Sequence, residues 1–314
     1  MGHKLLIESA LMMTDKVSVI IGSLDADRWP ALERAKWLKE EFPTINVIVV
    51  DDNNAPDTEY DKNGTATSQE FWDYWIIQVN TLTSGLTHVF SSDAYGGKLA
   101  ERLGLRWVPV DPARHIHQMC ASGLSQDLLK LEAWRSLMPS TRKYIAKKVA
   151  IVGAESTGKS TVVKKLGETY PEFLGTVNEY GRTLSEIRHN NLDAEDFSTI
   201  FAMQSKMVED MVQQFPVVVT DTEAITTTLF SKIFLGYSLP FEDAGFDLYL
   251  VLSPDVGWVD DGTRLLSTQT KRIEFHNELC DALRNQGKNF FIINSENYDT
   301  RTKEIDDRVL ALLV

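Results

Sequence analysis

The chain has 314 residues, 43% of them hydrophobic, enough for a core in each of two domains. Its 32 Lys and Arg against 45 Asp and Glu leave a formal net charge of −13, which excludes non-specific binding to nucleic acid, a mode that needs a basic field. No apolar run approaches the roughly 20 residues of a membrane span. Residues 1–13 carry Glu8 without a cleavage pattern, and Cys120 and Cys280 match no metal or redox spacing, so a cytoplasmic protein with reduced thiols is expected.

From the start of the chain, residues 2–11 read as a helix. Strands follow at 17–22, 45–50, 87–90 and 107–110, separated by helical patterns at 31–42, 69–82 and 96–103. Such alternation predicts a parallel α/β sheet. Trp72-Asp73-Tyr74-Trp75 reads as helix-to-sheet packing, and His115-Ile116-His117 has no third ligand nearby that would make it a metal site. The pattern weakens over residues 134–148, where Pro139, Ser140, Thr141, Arg142 and Lys143 interrupt it. The domain boundary is therefore expected at 146/147.

The second half opens on Val149-Ala150-Ile151-Val152-Gly153-Ala154-Glu155-Ser156-Thr157-Gly158-Lys159-Ser160-Thr161, a buried-type strand, a glycine-bounded loop and a helix start. This is the P-loop order. Backbone N–H groups between Gly153 and Gly158 can curl around a phosphate chain, with Glu155, Ser156, Thr157 and Thr161 completing the cradle. Lys159 is placed to reach the β- and γ-phosphates of ATP, and the Ser160 hydroxyl to bind Mg²⁺. A short strand at 176–178 then ends at Glu179-Tyr180-Gly181-Arg182. A helix with a Phe and Met stripe spans 194–214, and a strand at 215–220 ends at Asp221-Thr222-Glu223. A carboxylate there suits the Mg²⁺ shell, so Ser160 and Asp221 are the candidate metal ligands; an acidic helix cap would look the same. Strands at 246–252 and 289–293 complete a five-stranded reading. Between them, Trp258 to Arg264 and then Lys271-Arg272 offer cations beside Gly262, as a phosphoryl-transfer lid requires, although a solvated loop would look similar.

These motifs together resemble the ribosylnicotinamide kinase domain of the NadR-type bifunctional NAD-biosynthesis proteins, over residues 149–314. The matching segments are Gly153 to Ser160, Glu179-Tyr180-Gly181-Arg182, Asp221-Thr222-Glu223, Trp258 to Arg264 and Tyr298-Asp299-Thr300-Arg301. The first half resembles that family's nicotinamide mononucleotide (NMN) adenylyltransferase domain, through Gly2-His3, Ile20-Ile21-Gly22, residues 34–38, residues 72–75, Ser91-Ser92-Asp93-Ala94 and residues 110–114. Two departures stand out. The family's opening strand and the first histidine of its phosphate motif have no counterpart before Met1-Gly2-His3, which implies either an upstream start or a decayed domain. The family's later Ile-Ser motif aligns Ser122 with its serine but puts Asp127 where an arginine steadies the triphosphate.

The resemblance implies an α/β chain: a Rossmann-like nucleotidyltransferase domain lacking its first strand (1–146), then a P-loop kinase domain with a parallel sheet (147–314). It implies ATP-dependent phosphorylation of nicotinamide riboside to NMN, with ATP and Mg²⁺ bound. Lys159, Glu179, Asp221, Arg264 and Arg272 are the expected catalytic residues, and Arg301 is expected at the nucleotide. Glu179, Tyr180, Arg182, Glu223, Trp258 and Asp261 are expected around the acceptor. His3, Asp93, Arg114 and Ser122 would form the first domain's nucleotide site, with NMN as its substrate. A nucleotide sensor without catalysis and a kinase for another nucleoside are the competing readings. Self-association is left open.

Overall fold

The computed structural model describes residues 2–56, 59–60, 66–116, 128–256, 266, 268–295 and 297–313. The chain divides into two compact units, one formed by Met1–Leu128 with Arg135–Tyr144, the other by Leu129–Trp134 with Ile145–Val314.

In the first unit, β1 (Ser18–Ser23) pairs in parallel with β2 (Asn46–Asp51), and β3 (His88–Ser91) pairs in parallel with β4 (Arg106–Pro109). Helices Gly2–Met13, Ala31–Glu41, Gln69–Leu82 and Ala94–Leu103 alternate with them. Among the described residues the two pairs form separate two-stranded sheets. The core under β1 and β2 gathers Ile7, Ile21, Ala31, Leu38, Phe42 and Ile45. Trp72 is 1% exposed and donates to the Ala66 carbonyl at 2.9 Å, which fits the packing reading of the aromatic run.

The second unit is built on β5 (Lys147–Gly153), the middle strand of a parallel sheet that also contains β6 (Leu174–Val177), β7 (Val217–Asp221), β8 (Leu248–Leu252) and β9 (Phe290–Ile293). The order is β6-β7-β5-β8-β9. Every residue of β7 and β8 is buried, which is why these strands read as continuous apolar runs: helices cover both faces of a parallel sheet. Alternate residues go to opposite cores. Val149 and Ile151 pack with Val163, Leu166, Ile305 and Val309, while Ala150 and Val152 pack with Phe275, Leu279 and Leu283.

The structure corrects the expected interruption over residues 134–148. Helices Leu131–Arg135 and Pro139–Ile145 occupy it, and Pro139 stands at the first helical position, where a missing N–H does no harm. Trp134 is 1% exposed and donates to the Val212 carbonyl at 3.0 Å, inside the second unit. No helix among the described residues is long and apolar enough to cross a membrane.

Candidate functional site: a P-loop facing an acceptor cavity

The loop between β5 and the helix Lys159–Thr169 is held by features of two kinds. Gly153 has φ 148°, and a Cβ there would stand 2.7 Å from the Leu252 carbonyl oxygen; Gly158 has φ 90° with the Tyr298 ring 2.9 Å from where its Cβ would be. Both positions require glycine. Ser156 also takes a left-handed conformation, φ 62°. The Lys159 ammonium lies across the loop, donating to the Gly153 and Ala154 carbonyls at 3.1 and 3.2 Å.

Two buried guanidinium groups hold the loop from behind. Arg272 is 1% exposed and donates to the carbonyls of Glu155 (3.2 Å), Ser156 (3.3 Å) and Val256 (3.3 Å). Arg301 is 0% exposed and donates to the Thr157 carbonyl at 2.9 Å, the Ser295 carbonyl at 2.9 Å and the Ser253 carbonyl at 3.3 Å. In a planar trans peptide the C=O of one residue and the N–H of the next point opposite ways. Drawing the carbonyls of residues 155–157 toward the arginines therefore turns the N–H groups of Ser156, Thr157 and Gly158 away from them, as an anion nest needs. Arg272, expected as a lid cation, and Arg301, expected at the nucleotide, are both placed on the loop's main chain. Arg264, Trp258 and Asp261 lie outside the described residues.

Across the loop, β6 and β7 pair with Val177 opposite Thr220, so Asp221, the last residue of β7, and Glu179, two residues past the end of β6, emerge at neighbouring strand ends. The Ser160 hydroxyl donates to Asp221 Oδ2 at 2.5 Å, and Asp221 is 1% exposed. The Glu179 carboxyl is pushed up to about 7 by burial and by the neighbouring Asp221 charge, with Lys159 and Arg182 opposing. Its side chain keeps 19% of its surface open, with Arg182 Nε 3.8 Å away.

Gln204, which the apolar stripe of its helix hid from sequence reasoning, ties these two strand ends together. Its Nε2 donates to Thr220 Oγ1 (2.8 Å) and to the carbonyls of Asp221 (3.1 Å) and Asn178 (3.3 Å), and its Oε1 accepts from the Tyr180 N–H at 2.8 Å. A polar residue at an i+4 position within the buried face of helix Ala194–Val212 was the signal that could have found it.

Between the loop and this helix opens a cavity continuous with solvent. One end is polar, with Glu155, Lys159, Glu179, Arg182 and Thr222; the other is apolar, with Leu192, Phe197, Ile200, Phe230 and Phe234. Tyr180 packs instead into the apolar cluster of Leu184, Phe197 and Ile200. Glu223, expected at the acceptor, is committed elsewhere: it caps helix Ala224–Leu235, accepting from the N–H groups of Ile225 (2.6 Å) and Thr226 (2.9 Å) and from the Thr226 hydroxyl (2.9 Å). Burial pushes its carboxyl up to about 7 against those hydrogen bonds.

In the first unit, Asp93 accepts from Arg114 Nη2 at 2.9 Å, and His3, at the start of the first helix, lies within electrostatic range of Asp93 and Arg34. Three of the four expected residues of that site are thus brought together. Ser122, with Asp127, lies outside the described residues.

A protein-family model described as an AAA domain matches residues 148–301. The trifunctional NAD biosynthesis/regulator protein NadR of Escherichia coli (strain K12) is 27% identical over 96% of this chain and 77% of its own. Its counterpart in Salmonella typhimurium (strain LT2) is 26% identical with the same coverage. The similarity to NadR runs along nearly the whole chain. Solved structures agree on the fold. A NadR protein in complex with NR superposes with a TM-score of 0.56 over 98% of this chain and 90% of that one, at 22% identity. A NadR protein in complex with NAD and AMP-PNP gives 0.55 over 98% and 91%, at 23% identity. The chain thus combines two α/β units, the second carrying a P-loop.

Proposed function

We propose that the second unit transfers the γ-phosphoryl group of ATP to the 5′-hydroxyl of nicotinamide riboside, giving NMN in a pathway of NAD synthesis. The observation that carries this reading is the cavity itself. Glu179, with the Asp221 charge beside it, lines the cavity together with Lys159 of the P-loop, and Phe197, Phe230 and Phe234 give the same cavity an aromatic lining. The relatives' names, and the NR and AMP-PNP bound in the related structures, support the same substrates.

Lys159 would leave the loop carbonyls to bind the β- and γ-phosphates, whose oxygens take up the N–H groups of Ser156, Thr157 and Gly158. Glu179 orients the acceptor hydroxyl and accepts its proton, a role for which a carboxyl near neutrality is suited. The donor set at the loop's end, a hydroxyl 2.5 Å from a buried carboxylate, is the hard-oxygen chemistry a Mg²⁺ ion requires, and Ser160 and Asp221 would hold it. Bound there, Mg²⁺ neutralises charge on the β- and γ-phosphates. Arg182 supplies positive charge on the acceptor side.

The test is product analysis by mass spectrometry after mixing the protein with Mg²⁺-ATP and either nicotinamide riboside or NMN. NMN from the first mixture is the expected result. Nucleotide binding with no product from the riboside would sink the assignment in favour of a sensor. For the first unit we propose an NMN adenylyltransferase-type site built on His3, Asp93 and Arg114, and NAD in the second mixture is its readout.

A further inference from the structure

The wall of the cavity away from the phosphates carries a polar group that none of the interactions above uses. Helix Tyr180–Ile187 is followed by a turn in which His189 and Asn190 both take left-handed conformations, φ 51° and 60°. The turn is closed by the Asn190 N–H donating to the Ser185 carbonyl at 2.8 Å. It sets Asn190 in the lining of the cavity, beside Leu192 and Phe197. The Asn190 Oδ1 is buried and accepts no hydrogen bond from any described residue. A buried amide oxygen without a donor is disfavoured, so one carried by a residue that lines a ligand cavity points to a donor on the ligand.

Position identifies that donor. The eight-residue helix between Glu179 and this turn spans about 12 Å at 1.5 Å per residue, comparable with the reach of a riboside from its 5′ oxygen to a substituent on its base. With the hydroxyl at Glu179 and the ring among Phe197, Phe230 and Phe234, the substituent arrives at Asn190.

We propose that Asn190 selects the carboxamide of the acceptor's base, its Oδ1 accepting a hydrogen bond from the carboxamide NH₂. This rests on the riboside-acceptor reading of the cavity. A carboxylate in the same place has no N–H to offer and sets a negative oxygen against the amide oxygen, so the residue discriminates nicotinamide riboside from nicotinic acid riboside.

The left-handed backbone alone would also favour asparagine, and glycine suits that backbone at least as well. Steady-state kinetics on the full chain with both ribosides, for wild type, Asn190→Gly and Asn190→Asp, separates the two explanations. Wild type should prefer the amide. Asn190→Gly should lose about tenfold or more in kcat/KM for the amide, mostly through KM, with the acid changed less than about threefold and the KM for ATP unmoved. Asn190→Asp keeps an acceptor for the NH₂ and should keep the preference. Equal losses for both ribosides in Asn190→Gly, or no loss, would overturn the assignment of Asn190 while leaving the kinase reading intact. A wild-type chain that phosphorylates neither riboside would overturn that reading, and this inference with it.

Discussion

Burial and the Asp221 charge together raise the Glu179 carboxyl. With Glu179 as the base, kcat/KM for the riboside should rise with pH along an acid limb near 7. Asp221 raises that value, so in the residual activity of Asp221→Asn the limb should move to lower pH. A limb that stays in place would remove Glu179 from the role of base. Lys159→Ala takes away a cation aimed at the transferring phosphoryl group, and a loss in kcat of roughly 10²–10³-fold or more is expected. Single-turnover kinetics reads it directly. Glu223 gives a stability prediction of definite sign. Its carboxyl binds the proton more tightly in the folded chain, at about 7, than its ordinary value of 4.5. Its contribution is therefore complete below about 4.5 and is lost as pH rises toward about 7. Relative to wild type, Glu223→Gln should gain on the order of 1–3 kcal/mol between those limits, as measured by urea denaturation at a series of pH values.

At the scale of elements, strands such as β5, β7 and β8 were legible because both faces are buried, and the run of Val, Ile and Leu has no polar break. The P-loop was legible because its backbone geometry demands glycine at positions 153 and 158. What lay beneath the loop was not. An arginine in a loop or at a helix start reads as solvated, and only tertiary packing reveals that Arg272 and Arg301 are buried with their donors on loop carbonyls. Gln204 was hidden for the same reason: its partners lie on β7 and just past the end of β6, 16 to 26 positions away in sequence. These arginines lead to a further expectation. Arg301→Met keeps most of the volume but takes the guanidinium donors from the carbonyls of the buried residues Thr157 and Ser253 and from that of Ser295. Destabilisation of about 2–4 kcal/mol should accompany weaker binding of a non-hydrolysable ATP analogue. Calorimetry that found analogue affinity unchanged in a folded Arg301→Met chain would mean that the loop holds its shape without this support.

For the whole molecule, the sequence and the structure place the second unit's beginning differently, and the difference is measurable. Composition puts the boundary at 146/147, because Pro139 and the polar residues after it break the apolar pattern. The fold instead returns Leu129–Trp134 to the second unit and leaves Arg135–Tyr144 with the first. Sequence reading could not anticipate this exchange, since a short helix carries too few turns for its periodicity to be recognised. Trp134 buries nearly its whole side chain and donates to the last residue of helix Ala194–Val212, while Leu129 packs against the core formed by β5, β7 and β8. A fragment of residues 147–314 keeps the P-loop, the cavity and both buried arginines but lacks these two anchors. Losing the Trp134 side chain corresponds to a core truncation of about 3–5 kcal/mol, a large share of the stability of a domain this size. The fragment 129–314 should therefore unfold cooperatively at a clearly higher urea midpoint than 147–314, and in the longer fragment Trp134→Ala should recover most of the difference. If the two fragments unfold at the same midpoint, the second unit's stability begins at β5 and the Leu129–Trp134 segment is merely laid upon it.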